Sequence, residues 1–158
     1  CYCWCKKPLR PLVKAMLSHQ YAYAYGAVSP MDGKFDSLVL PEVNGDWMQL
    51  FLTEIAARYP SENIVMVVDG AGWHKRKNFE MPANLKLLFL PPYSPELNPQ
   101  EHNWDELREK CFHNKTFDSL PLLEDHLVES LRALEAQNAI VKSIAKWDWI
   151  VDAVSNGN

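Results

Sequence analysis

The stretch that decides the fold is residues 91–101, which read Pro91-Pro92-Tyr93-Ser94-Pro95-Glu96-Leu97-Asn98-Pro99-Gln100-Glu101. Each proline fixes its own φ at about −65° and disfavours helical conformations in the residue before it. We therefore expect a rigid loop between a preceding strand and a following helix. The residues expected to shape this loop are Pro91, Pro92, Ser94, Pro95, Asn98 and Pro99.

The end of this loop carries a helix-start signal. Asn98 is a favoured N-cap residue, Pro99 suits the first helical position, and Glu101 at the third position completes an Asn-x-x-Glu capping box. The pattern predicts a helix from Pro99 to about Phe112. Glu101 has two interpretations, a helix-capping side chain or a functional carboxylate, and the spacing from Asn98 does not decide between them.

A second acid follows a predicted strand upstream of the loop. Residues 64–68 are a continuous apolar run, typical of a strand that is buried on both faces, and Asp69 comes directly after it. Open α/β sheets bind ligands beyond the carboxyl ends of their strands, although an Asp-Gly pair is also a common turn. A further apolar run, residues 85–90, leads into the proline loop. We therefore expect Asp69 and Glu101 at the same edge of adjacent strands.

Patterns elsewhere in the chain predict the scaffold of an α/β fold. Strands are expected at residues 21–28 and 35–40, joined by a hairpin turn at Asp32-Gly33. Helical periodicity predicts one helix between Asp46 and Tyr59 and a long amphipathic helix from Leu120 to Leu134. The apolar residues of these two helices are Trp47, Leu50, Phe51, Ile55, Ala56, Leu120, Leu123, Leu127, Leu131 and Leu134.

Composition indicates a single globular domain over residues 1–158. The apolar content of 47% supports a substantial core, and the net charge of −4 is not typical of a dedicated DNA-binding module. The apolar runs are too short for a membrane span or a signal peptide, so we expect a cytoplasmic protein. Cys1, Cys3 and Cys5 have a spacing that is poor for zinc and consistent with reduced thiols.

Two motifs together carry a family resemblance. Val68-Asp69-Gly70-Ala71-Gly72-Trp73-His74, followed by residues 90–101 and then Trp104, closely resembles the catalytic domain of insertion-sequence transposases of the mariner superfamily. The resemblance implies a ribonuclease H-like fold, with a mixed central sheet flanked by helices. It also implies a DDE site of three acids that holds two Mg²⁺ or Mn²⁺ ions and performs DNA cleavage and strand transfer. Asp69 would be the second acid and Glu101 the third, each catalytic and metal-binding.

The resemblance implies DNA partners, namely the element ends and the target, and a homodimer in the full-length protein. His74 and the basic run Lys75, Arg76 and Lys77 are candidate DNA or phosphate contacts, with a solvated charged face as the ordinary alternative. No membrane partner is expected. Other basic residues that could steer phosphates are Lys6, Lys7, Arg10, Lys14, Arg108, Lys110 and Lys115.

The first acid of the family pattern has no clear counterpart here. Residues 4–11 resemble the segment that follows this acid in the family, so we expect the acid upstream of Cys1, a truncated first strand and no helix-turn-helix unit. Asp32 lies in a predicted turn and Asp36 on a strand where we expect it to face solvent, so both are poor substitutes. We therefore expect the isolated chain to lack one metal ligand and to have impaired cleavage activity.

Two other functions are compatible with the residues. Residues 91–99 could be an exposed proline-rich segment that a partner protein binds. The chain could also be a non-catalytic dimerisation or interaction remnant of a transposase. The terminal apolar residues Trp147, Trp149 and Ile150 would then form part of an interface, although packing against the domain is the simpler role for them.

Overall fold

The chain has an α/β fold, as the sequence predicts. The computed structural model describes residues 21–72, 79–92, 94 and 97–155, and for residues 151 and 153–155 only the backbone. The strands are β1 (Tyr23–Val28), β2 (Phe35–Leu40), β3 (Ile64–Val68) and β4 (Leu85–Phe89). The helices are α1 (Gly45–Arg58), α2 (Gln100–Leu107) with its π-helical continuation (Arg108–Phe112), α3 (Leu120–Glu135), α4 (Asn138–Ala145) and α5 (Asp148–Ser155).

Strands β1 and β2 form the predicted antiparallel hairpin. Tyr23 pairs with Leu40 at one end of the ladder and Val28 with Phe35 at the other, so β1 begins two residues later than expected. Gly33 has a φ of 75°, which favours glycine, and its amide donates to the Ser29 carbonyl at 2.8 Å. A Cβ on Gly33 would lie 2.1 Å from the carbonyl oxygen of Asn138. The hairpin turn is therefore packed tightly against the start of α4.

Strands β3 and β4 pair in parallel, from Ile64 with Leu85 to Val68 with Phe89. The Leu90 amide extends the ladder by donating to the Val68 carbonyl at 2.8 Å. Because both strands end at the same edge, Asp69 and the start of the proline loop leave the sheet side by side. This agrees with the prediction from the sequence. Among the described residues, the four strands form two separate hydrogen-bonded pairs.

Only one face of β3 is buried. Met66 and Val68 point into the core, whereas Val65 and Val67 are 64% and 50% exposed. The prediction that this strand is buried on both faces is therefore wrong for the structure described. The apolar run was ambiguous because a strand alternates its side chains between two faces, and composition does not show which faces are covered.

Helix α1 supplies half of the buried residues in the core that joins the two strand pairs. It starts at Asn44, whose side-chain oxygen accepts hydrogen bonds from the amides of Asp46 and Trp47. Leu50 was predicted to face the core but is 39% exposed. The buried residues of this core are Tyr25, Leu40, Met48, Phe51, Leu52, Ile55, Ala56, Met66, Val68 and Leu85.

A second core holds the helices that follow the proline loop. The predicted leucine stripe of α3 packs here, with Leu127, Leu131 and Leu134 buried. Helix α2 contributes Leu107 to the same core, and Trp104 packs at its border. The remaining buried members of this core are Phe35 and Val141. None of the helices in the described part of the chain is long and apolar enough to cross a lipid bilayer.

We predict that Leu52→Ala lowers the free energy of unfolding by about 2–5 kcal/mol, because it removes a side chain that has no exposed surface and leaves a cavity. Leu50→Ala on the same helix is the matched control and should cost less than about 1 kcal/mol, since Leu50 already contacts solvent. Urea unfolding followed by circular dichroism measures both values. Equal losses in the two variants would contradict the placement of the core.

Candidate functional site

Asp69 occupies an open position at the end of β3. Its side chain is exposed, and its Oδ1 accepts a hydrogen bond from the Ala71 amide at 2.9 Å, which closes a local turn. A Cβ added to Gly72 would meet no atom within 4 Å, so the turn borders open space. Strand β3 therefore delivers an exposed carboxylate to this edge of the sheet.

The proline loop ends in a capped helix. Asn98 Oδ1 accepts a hydrogen bond from the Gln100 amide at 3.1 Å, and the Glu101 amide donates to the Asn98 carbonyl at 3.2 Å. Asn98 thus caps the helix as predicted, although α2 begins at Gln100 and Pro99 precedes it with helical angles. Pro91 and Pro92 are exposed, while Ser94, Asn98 and Pro99 are half-buried. Pro95 lies outside the described residues.

Glu101 does not act as a helix cap. Its side chain is exposed, and its carboxylate has no hydrogen-bond or ion-pair partner among the residues that the structure describes. The reciprocal half of the predicted capping box, from the Glu101 side chain to the Asn98 amide, is therefore absent from this part of the chain. The first turn of α2 presents a carboxylate to solvent, where an oxygen-binding cation or a donor group can reach it.

The helix that carries Glu101 is anchored by its buried residues and by Trp104. Gln100, Asn103 and Leu107 are buried, and Trp104 packs edge-on against Phe35 with ring centroids 6.0 Å apart. The helix continues to Phe112, where the prediction ended it, but the last turn is π-helical. On the outer side, the ring of His102 lies 5.0 Å from the ring of Trp147. This contact packs part of the terminal tryptophan cluster against α2, while Trp149 is 47% exposed.

A complete metal cluster is not formed by the described residues. Within residues 21–72, 79–92, 94 and 97–155, no three His, Cys, Asp or Glu side chains come together closely enough to hold a metal ion. Asp32 is engaged with Lys34, at 3.1 Å. Asp69 and Glu101 are both carboxylates at exposed positions, and carboxylates are ligands that suit Mg²⁺ or Mn²⁺. These two residues supply two such side chains.

Asp36 is held by neighbouring side chains. Its carboxylate accepts from the Arg58 guanidinium at 2.6 Å and from the Tyr59 hydroxyl at 2.7 Å. Burial, together with this hydrogen bond, raises the pKa of Tyr59 to about 12. The Asp36 side chain is only 14% exposed, so the prediction that it faces solvent is wrong. Arg58 covers it from helix α1, a contact between segments that a strand pattern cannot reveal.

Most of the predicted basic contacts fall on residues that are not described. His74, Lys75, Arg76 and Lys77 lie in the range 73–78, and Lys6, Lys7, Arg10 and Lys14 lie in the range 1–20, both outside the described residues. Downstream of Glu101, Arg108 pairs with Asp105 and Lys110 pairs with Glu106. Lys115 contacts His126 at 3.2 Å. The basic charge of this helix is therefore partly balanced by its own acids.

Sequence reasoning missed the contact between α2 and β1. Gly26, in the middle of β1, faces the side chains of Gln100 and Trp104. A glycine within a strand often marks a close approach of another segment, so the residue type carried a signal. The identity of the approaching segment was not accessible from the strand alone.

Comparison with known proteins identifies a matching family and a relative. Residues 2–124 match a family model described as DDE superfamily endonuclease. The chain is also 36% identical over 130 residues to "Uncharacterized protein y4pE/y4sA" of Sinorhizobium fredii (strain NBRC 101917 / NGR234), an alignment that covers 82% of this chain and 96% of that protein. No solved structure matches the chain significantly.

We predict that Asn98→Ala destabilises the protein by about 1 kcal/mol, because the Gln100 amide loses its cap at the start of α2. The control is Ser119→Ala at the N-cap of α3, where the serine side chain makes no capping hydrogen bond. This second change should be near neutral in urea unfolding. A loss at position 119 that equals or exceeds the loss at position 98 would contradict the capping role of Asn98.

Proposed function

The chain belongs to the DDE superfamily endonucleases, and we propose that Asp69 and Glu101 are two of the three acids of its metal-dependent DNA-cleaving site. Membership indicates transposase-like cleavage of DNA. The observation that carries the assignment is the Glu101 carboxylate, which is exposed and unpartnered among the described residues although its helix is firmly anchored. A glutamate that only capped its helix would bond to the backbone of Asn98.

The finer assignment is a transposase of the mariner type, which cuts the ends of its element and joins them to target DNA. The order of Asp69 after β3, then the proline loop, then Glu101 on α2 supports it. We propose the element ends and the target as DNA partners and a homodimer as the working form. The cytoplasm is the proposed compartment, because the proposed DNA partners are accessible there.

Asp69 and Glu101 fit a magnesium or manganese site in ligand chemistry. Carboxylate oxygens are hard donors that both ions accept, and such sites take only a few carboxylates while the ions keep several waters. Two such ions, held by these carboxylates, would supply Lewis-acid activation of the nucleophile and stabilisation of the leaving group. In this proposal the remaining one of the three acids comes from outside the described residues.

The loop and the helix cap serve to hold Glu101 in one position. Prolines restrict the backbone of the loop, and the Asn98 cap fixes the first turn of α2, so little conformational freedom remains to be lost when metal or DNA binds. On the other side, the turn closed by Asp69 and Ala71 limits the freedom of the second acid. We assign contact with DNA phosphates to His74, Lys75, Arg76 and Lys77, which follow Asp69 directly in sequence.

The metal assignment predicts a specific footprint on the protein. Fe²⁺ with ascorbate and peroxide should cut the polypeptide near residues 69 and 101, because Fe²⁺ replaces Mg²⁺ at such sites and generates radicals locally. Asp69→Asn and Glu101→Gln should each weaken Mn²⁺ binding, measured by calorimetry, by at least about tenfold. The control is Glu109→Gln, an exposed glutamate on the π-helical continuation of α2, which should leave Mn²⁺ binding unchanged. Cuts at other positions only would reject the site.

Cleavage is measured with supercoiled plasmid in Mn²⁺. Asp69→Asn and Glu101→Gln should each lower the nicking rate at least about a hundredfold, which corresponds to roughly 3 kcal/mol of lost transition-state stabilisation. Glu109→Gln should nick at the parent rate. Nicking that survives both substitutions while depending on Mn²⁺ would show that these two residues are not the catalytic acids.

A further inference from the structure

We propose that Gly26 is a positioning residue for Glu101, because its missing side chain allows the carboxylate-bearing helix α2 to lie directly on strand β1. A Cβ at position 26 would lie 2.7 Å from Gln100 Nε2 and 2.8 and 2.9 Å from Trp104 Cη2 and Cζ2. All three distances are shorter than real Cβ atoms show. The inference rests on the proposed function of Glu101, and it adds a residue from a different part of the fold to that site.

The contact bears on Glu101 through its immediate neighbours. Gln100 precedes Glu101, and Trp104 lies about one helical turn after it, so the two side chains that touch Gly26 flank the carboxylate along the helix. Any side chain at position 26 would push these two residues outward. Because a helix moves as a unit, the same push would displace the backbone of Glu101.

The surroundings leave Trp104 little freedom to yield. Its ring is rigid and is packed edge-on against Phe35, and Leu107, less than one turn later, is buried among the leucines of α3. The Gln100 amide belongs to a flexible side chain, yet the residue is only 8% exposed. An added methyl group would therefore be accommodated by a shift of α2 of roughly half an ångström or more rather than by a change of rotamer.

A gain in folding stability does not explain the contact between α2 and Gly26. Both side-chain amide atoms of Gln100 and the Oδ1 atom of Asn103 are buried and make no hydrogen bond to any residue that the structure describes. Burying such groups without a partner costs about 1–3 kcal/mol each, and an apolar residue at either position would avoid that cost. The buried amide of Gln100 therefore adds no hydrogen-bond stabilisation at its contact with Gly26.

The test compares four proteins: the parent, Gly26→Ala, Trp104→Phe and the double variant that carries both substitutions. Leu50→Ala is the control, because Leu50 is partly exposed on α1, a helix that carries none of the proposed site residues. Gly26→Ala should shift the Glu101 amide resonance in ¹H–¹⁵N spectra and lower kcat for plasmid nicking by about ten- to a hundredfold with an unchanged KM, the size of effect expected for a small misplacement. Adding Trp104→Phe to Gly26→Ala removes the distal ring atoms. The Glu101 amide resonance and kcat should then return towards the values of Trp104→Phe alone.

The rescue separates positioning from general destabilisation. If Gly26→Ala only weakened the fold, unfolding free energy would fall and the smaller residue at position 104 would lower it further without restoring kcat. An unmoved Glu101 resonance in Gly26→Ala, or a double variant no better than the single one, would overturn the inference. If the parent bound no Mn²⁺ and did not nick DNA, the proposed function would fail, while the Glu101 resonance would still decide whether Gly26 positions it.

Discussion

The parallel pairing of β3 with β4 is the constraint on which the candidate site depends. Hydrogen bonds in register from Ile64 and Leu85 to Val68 and Phe89 make both strands end together. Asp69 and the proline loop consequently leave one edge of the sheet, and residues 90–99 connect that edge to α2. A shift of this register by one residue would turn the core face of β3 outward and move Asp69 to the other side of the sheet.

Local patterns predicted the four strands and the helices α1, α2 and α3, whereas α4 and α5 were not predicted. The hairpin at Asp32-Gly33, the strand that ends at Val68, the cap at Asn98 and the leucine stripe of α3 each depend on residues that are close in sequence. Such features follow from backbone preferences and from side-chain periodicity, so a single chain contains the information. The candidate acids Asp69 and Glu101 were predicted in the same way, from the ends of a strand and a loop, and their role stays a prediction. The match over residues 2–124 shows that the chain belongs to the DDE superfamily. Its small sheets and helices are compatible with a ribonuclease H-like domain.

Contacts between distant segments could not be predicted. The exposed face of Val65 and Val67, the partners of Asp36 and the approach of α2 to Gly26 all depend on which segment lies opposite. Periodicity gives the face of a residue but not its neighbour in space. For Glu101 the sequence left capping and function both open, and the structure shows that the capping hydrogen bond to Asn98 is not made among the described residues.

The turn at Gly33 has a consequence for recombining this domain with its relatives. Its Cα lies so close to the Asn138 carbonyl that even a methyl group would not fit between them. The sequences of the hairpin turn and of the start of α4 must therefore be compatible with each other, although the two segments are far apart in the chain. A chimera that takes its hairpin from one parent and its helix α4 from another will fold only where the incoming turn also leaves that space empty.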